Sequence, residues 1–215
     1  GGIMVTASHN PYNYNGIKFK SWYGGAATKD ETGRIERYIR EKSGRKPLKA
    51  GKIEPVSLKE HHKKTIMSFV NMGRINNSGI KAVIDPMWGA SIGCLGEILG
   101  KMKTEASYIH NYRDSLFGGI HPEPISENLG DLSVSVKGLK ADIGLATDGD
   151  GDRIGIMDNR GNFVNPQQIL AALMLYFIRQ KKMSGGIVMS VATTHVAGLI
   201  ARKHGLKIYD VPIGF

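Results

Sequence analysis

The feature that most constrains this 215-residue chain is the alternation of short apolar runs with stretches of helical period through its middle and last parts. Residues 80–85, 104–110, 142–147, 154–158, 187–191 and 206–211 read as strands, and 58–72, 90–99, 126–137, 167–179 and 194–204 as helices. Strands alternating with helices predict an α/β fold, with largely parallel sheets covered by helices on both faces. Ahead of this, residues 3–6 read as a buried strand. Ile17, Phe19 and Ser21 alternate with Lys18, Lys20 and Trp22 in a second strand. Thr28 starts a helix to about Lys42, with Ile35, Tyr38 and Ile39 on one face. Gly73 is expected to cap the end of the 58–72 helix and Ser126, with Glu127 behind it, to start the 126–137 helix. The 194–204 helix is expected to be capped near Thr193.

A polar stretch bearing Pro and Gly, from Ser43 to Pro55, reads as a linker, and the Asn159-Arg160-Gly161 turn reads as a second boundary. Three units result: 1–52, 53–160 and 161–215. The first opens on a strand without a preceding partner, and the last stops one strand-helix-strand step in, as expected for part of a longer protein.

Apolar residues make up 41% of the chain, ample for a buried core. No run of about 18 apolar residues marks a membrane span, and no charged leader with an apolar block marks a signal peptide. The single cysteine, Cys94, cannot form an internal disulfide, which fits a reducing cytoplasm. Among Ile92, Leu95 and Ile98 it is expected to be a small buried hydrophobe. The net charge of +10 admits nucleic acid, acidic lipid or phosphorylated small molecules as partners. The basic residues are scattered and do not interleave with aromatics as a single-strand platform requires. Residues 44–49, a short basic run, read as a solvated linker. No nucleic-acid or membrane partner is therefore expected.

Asp148, Asp150 and Asp152 alternate with Gly149 and Gly151 after an apolar strand. In α/β sheets the carboxyl end of a strand is where ligands bind. Carboxylates at every second position project to one side, and the glycines let the backbone curl so that all three reach one ion. Three adjacent negative charges call for a cation, and hard oxygen donors favour Mg²⁺ or Ca²⁺. Asp-Gly is also hairpin vocabulary, but a hairpin has no need of three aspartates. An EF-hand would want Gly and Glu where Arg153 and Asn159 stand. Arg153 either pairs with one of the carboxylates or offers its forked donors to a phosphate.

Ser8 lies in Thr6-Ala7-Ser8-His9-Asn10-Pro11, again after an apolar strand, and Pro11, Asn13, Asn15 and Gly16 turn the loop. No nucleophile-elbow pattern surrounds it, and His9 points away from its sequence neighbour on an extended segment, so hydrolase chemistry is unsupported. From the residues alone Ser8 is either a turn serine or a functional hydroxyl, and Lys18 a solvated strand lysine.

Taken together, Thr6-Ala7-Ser8-His9-Asn10-Pro11 followed by Tyr14-Asn15-Gly16-Ile17-Lys18, and Asp148-Gly149-Asp150-Gly151-Asp152-Arg153 downstream, closely resemble the α-D-phosphohexomutase superfamily. The segment from His121 to Leu129 and the closing Asp210-Val211-Pro212-Ile213-Gly214-Phe215 are also similar to it. Tyr23-Gly24-Gly25-Ala26-Ala27 is more similar to phosphoglucomutases and phosphomannomutases than to phosphoglucosamine mutases.

The resemblance implies repeated three-layer α/β/α units in a four-domain mutase, of which this chain holds the end of the first domain, the second and the start of the third. It implies a phosphorylated Ser8, and Mg²⁺ held by Asp148, Asp150 and Asp152 with a phosphoserine oxygen. It implies Lys18 in proton transfer, His9 and Arg153 in the active site, and Asn10, Lys18 and Gly214 toward the substrate. The implied partners are a phosphorylated hexose and a hexose 1,6-bisphosphate, in conversion of hexose 1-phosphate to 6-phosphate. A sugar-recognition loop of Gly-Glu-x-Ser-Gly type and a fourth domain have no counterpart, so little turnover is expected from this chain alone. A basic nucleic-acid-binding module, and a Mg²⁺-dependent phosphatase of another fold using the aspartates as nucleophile and ligands, are the competing readings.

Overall fold

A computed structural model describes residues 1–41, 51–100 and 102–213; most of the 43–55 stretch read as a linker, and the whole 44–49 basic run, lie outside the described residues. The first strands, β1 (Gly2–Val5) and β2 (Ile17–Lys20), pair antiparallel with Val5 opposite Ile17. They do not form the buried layer expected: Ile3 and Val5 are 68% and 67% exposed, because a two-stranded ribbon has too few neighbours to cover its apolar face. Helix α1 (Lys29–Arg40) begins at a complete capping box, in which the Thr28 hydroxyl accepts from the Glu31 N–H and the Glu31 carboxylate accepts from the Thr28 N–H.

The middle of the chain builds a five-stranded sheet in the order β4-β3-β5-β6-β7. Its strands are β3 (Lys81–Asp85), β4 (Glu105–Tyr108), β5 (Ile143–Thr147), β6 (Ile154–Met157) and β7 (Phe163–Val164). β3 runs parallel to both β4 and β5. The crossovers that permit this contain α4 (Cys94–Leu99) and α5 (Gly130–Leu139). β5 and β6 are separated only by residues 148–153, too few for a crossover, so this pair and β6-β7 are antiparallel and the sheet is mixed. The Asn159-Arg160-Gly161 turn is the hairpin joining β6 to β7, and the sheet continues to Val164.

Three local expectations need correction. Residues 58–72 form α2 (Lys59–Phe69) and the start of α3 (Met72–Asn76), broken at an extended Val70. Gly73 therefore lies inside α3, whose cap is the Asn71 side chain. Ser126 sits in a 3₁₀ turn (Ser126–Asn128), and α5 starts after Leu129 without a side-chain cap. Burial of Leu129 fixes the entry of that helix instead. The 90–99 helix shortens to α4 because Gly93 is left-handed and residues 90–93 turn against the aspartate loop.

The last segment contains α6 (Pro166–Arg179), β8 (Gly186–Met189), α7 (His195–Lys203) and β9 (Lys207–Asp210), with β8 and β9 parallel. Asn165 and Gln168 form a second capping box ahead of Pro166, and the Thr194 side chain caps α7. Cys94 is half-buried. No helix among the described residues is long and apolar enough to cross a membrane.

The core lies where α5 covers the five-stranded sheet: Leu129, Leu132 and Val136 meet Val83, Ala146 and Met157. Leu132→Ala should cost ~2–5 kcal/mol, the range for emptying a fully buried leucine site. Leu199→Ala on α7, 59% exposed, should stay within about 0.5 kcal/mol of the parent. Urea denaturation of the two variants checks the contrast.

Candidate active site and metal centre

The carboxyl ends of β3 and β5 lie side by side, and the aspartate loop grows from the second. Asp148 is fully buried there. Its Oδ1 accepts the N–H groups of Asp152 (2.9 Å) and Arg153 (3.0 Å), which curls the loop back on itself. One oxygen from each of Asp148, Asp150 and Asp152 comes within 4.8 Å of the others. Among the described residues, the buried Asp148 Oδ2 makes no hydrogen bond, and Arg153 Nε stands 4.0 Å away. Burial, reinforced by the charges of Asp150 and Asp152, pushes the Asp148 carboxyl upward against the pull of its two N–H donors. Burial also acts on Asp150, but Lys18 and Thr6 outweigh it and bring that carboxyl below its ordinary value.

The connection from β5 to β6 is at once a hairpin loop and a gathering of three carboxylates, so the two readings of its sequence are not alternatives. Gly151, at φ +79°, supplies the left-handed residue of the curl. Gly149 is needed for another reason: a Cβ there would lie 2.3 Å from the Ser8 carbonyl oxygen, so only glycine lets the serine loop seat against the aspartate loop. The Gly149 carbonyl accepts from Ala90 N–H and its N–H donates to Pro122, pinning the loop on both sides.

The serine loop is closed by Thr6 N–H to Gly16 O (3.0 Å) and by Ser8 N–H to Thr6 Oγ1 (2.9 Å). Ser8 sits in the left-handed region at φ 58°, a conformation that non-glycine residues seldom adopt away from functional turns. The serine loop and the start of β2 bring three side chains to one carboxylate. Ser8 Oγ donates to Asp150 Oδ1 (3.4 Å), while Thr6 Oγ1 (3.3 Å) and Lys18 Nζ (3.0 Å) reach Oδ2. Residues more than 130 positions apart in the chain thus share one acceptor.

His9 turns away from Ser8, with Nε2 3.7 Å from Glu123 Oε1, and Arg153 Nη1 donates to the same oxygen at 3.0 Å. Arg153 therefore pairs chiefly with a carboxylate outside the aspartate loop. Glu123 and Thr6 are site residues that the sequence reading did not assign. Glu123 stands in the segment from His121 to Leu129 that carried part of the resemblance, but only tertiary contact shows it bridging the two loops. Asn10 lines a cavity of about 370 Å³ together with Ser8. Gly214 lies outside the described residues.

The carboxylate set fits a hard divalent cation: three oxygen donors converge, and the buried unpartnered Asp148 Oδ2 is a ligand atom in want of one. The raised Asp148 carboxyl binds its proton more tightly in the folded than in the unfolded chain. Its contribution to stability is thus fully present below the unfolded pKa and is lost as pH rises through the folded one. In chelator, Asp148→Asn, which keeps an Oδ1 acceptor without the charge, should be at least as stable as the parent at neutral pH. The difference should shrink in mildly acidic buffer; parallel urea titrations at the two pH values measure it.

Residues 60–161 match the family model for phosphoglucomutase/phosphomannomutase, alpha/beta/alpha domain II, and residues 1–46 match that for alpha/beta/alpha domain I, together more than half of the chain. A probable phosphoglucosamine mutase of Methanocella arvoryzae is 32% identical over 99% of this chain and 46% of its own length. A phosphoglucomutase/phosphomannomutase of Thermococcus kodakarensis is 29% identical over all of this chain and 47% of its own. The crystal structure of a putative phosphomannomutase from Thermus thermophilus superposes with a TM-score of 0.90 at 30% identity, over all of this chain and 49% of that one. The chain spans about half the length of the curated relatives it matches. Its mixed α/β fold and both of its domain matches agree: the chain belongs to the α-D-phosphohexomutase superfamily.

Proposed function

We propose that this chain carries the phosphoryl-transfer centre of a phosphohexomutase, which interconverts hexose 1-phosphate and hexose 6-phosphate through a phosphorylated Ser8 and a hexose 1,6-bisphosphate. The observation that carries this reading is the contact of Ser8 Oγ with Asp150, one of three carboxylates gathered as for one cation. The magnesium that such a set would hold supplies charge neutralisation at the transferring phosphate.

The chain's own residues do the rest. The strained turn at Ser8 holds its Oγ at the edge of the carboxylate cluster, so a phosphate there starts in position. In the first transfer the bond from phosphorus to Ser8 Oγ breaks as one forms to a sugar hydroxyl. After the bisphosphate turns over, the other phosphate returns to the same oxygen. Lys18, bonded to the same carboxylate as Ser8, is the basic group assigned to move the hydroxyl proton. Arg153 and His9, ordered by Glu123, present donors at the rim of the site. Glucose or mannose is the sugar assigned, on the Tyr23-Gly24-Gly25-Ala26-Ala27 segment; relatives carry both those names and that of glucosamine. The single thiol supports a reducing, cytoplasmic setting.

Incubated with glucose 1,6-bisphosphate and Mg²⁺, the parent chain should gain one phosphate by intact mass, and Ser8→Ala none. A parent that stays unmodified, or an acid-labile phosphate on an aspartate, would overturn the phosphoserine reading and in the second case favour a phosphatase. Mg²⁺ at a hundredfold excess over its dissociation constant should stabilise the parent by about 2.7 kcal/mol. Asp150→Asn should lose most of that gain in a thermal melt.

A further inference from the structure

Two of the basic side chains around Ser8 already have carboxylate partners: Lys18 has Asp150 and Arg153 has Glu123. Arg113 is different. It lines the cavity of about 370 Å³ that opens onto Ser8, and among the described residues it makes no hydrogen bond and no ion pair. The polar side chains sharing that wall are Thr6, Ser8, Asn10, Tyr14 and Asn15, and among the described residues no carboxylate lines it. Asn15 Oδ1 is occupied by the Gly16 N–H at 2.8 Å, which leaves its amide NH₂ free to donate. A cavity with one uncommitted guanidinium, hydroxyl and amide donors and no acid has the composition of an oxyanion site.

The loop that carries Arg113 is held in place by the body of the sheet. The Asp114 carboxylate accepts the N–H groups of Leu116 (2.9 Å) and Gly118 (3.0 Å). Gly118, at φ +62°, lies so close to Trp88 that a Cβ would come within 2.3 Å of the indole. The Trp88 ring stacks on His110 at 3.8 Å, and His110 Nδ1 lies 3.1 Å from both oxygens of the buried Asp85 at the end of β3. The segment after Asp85 reaches the aspartate loop through Ala90 N–H to Gly149 O (2.9 Å). One strand end therefore anchors both the loop bearing Arg113 and the loop bearing the carboxylates, so their separation across Ser8 is set by the sheet.

We infer that Arg113, with Asn10 and Asn15, binds the oxygens of the phosphate monoester at Ser8, on the wall of the serine cavity where no carboxylate stands. This rests on the mutase reading and adds a phosphate-contacting residue to it. The test is calorimetric titration of inorganic phosphate, at constant ionic strength, into the chain with Ser8 shown unmodified by intact mass. Arg113→Met should weaken binding about tenfold or more, as for a lost charge-assisted contact. Arg113→Lys should fall between, and Arg179→Met on α6 should bind as the parent does. Unchanged binding in Arg113→Met, an equal loss in Arg179→Met, or no phosphate binding by the parent would each overturn the inference. The two readings separate cleanly. Arg113-dependent binding in a chain whose Ser8 never accepts phosphate would keep the anion site and discard the mutase. Phosphorylation of Ser8 without Arg113-dependent binding would do the reverse.

Discussion

Three carboxylates gathered within 4.8 Å of one another repel, and much of the local structure exists to hold them there. Asp148 is fully buried and gives one oxygen to two backbone N–H groups, which accounts for only half of its capacity as an acceptor. The fold tolerates this expense because the loop is braced from three directions: Ala90 on one side, Pro122 on another and the serine loop from above. An arrangement that costs stability and is nonetheless braced is the signature of a site kept for binding rather than for folding.

The serine loop docks through a contact short in area and specific in kind. Thr6, Ser8 and Lys18 converge on Asp150, and the missing side chain of Gly149 makes room for the Ser8 backbone. Glu123 adds a second tie through His9 and Arg153. The β1-β2 ribbon that carries the serine loop buries little of its own apolar surface.

Much of this was legible in the sequence. Strand and helix positions followed largely from period, and the start of α1 from Thr28, which satisfies its helix end by purely local bonds; Asn165 was not read as a cap, and the cap read near Thr193 is Thr194. The aspartate loop was legible because three carboxylates at that spacing have few other uses, whereas the serine loop, ambiguous by its residues alone, was legible only through the family resemblance. Less legible were Val70 and Leu129, where the chain breaks or starts a helix through backbone geometry and burial rather than through a capping side chain. The exposure of Ile3 and Val5 was not legible either, since an apolar strand carries no mark of whether anything covers it.

The sequence by itself determined the alternation of elements and the donor atoms available to a cation, since these depend on residue type and on contacts a few positions apart. The tertiary structure alone decided that the connection from β5 to β6 is a hairpin, that Asp150 is the acceptor shared by Thr6, Ser8 and Lys18, that Glu123 meets His9 and Arg153, and that Arg113 shares a cavity wall with Ser8. The physical reason is distance along the chain: local propensity reaches about one turn of helix or one hairpin. Contacts across more than a hundred residues are settled only when sheet order and packing bring particular surfaces together.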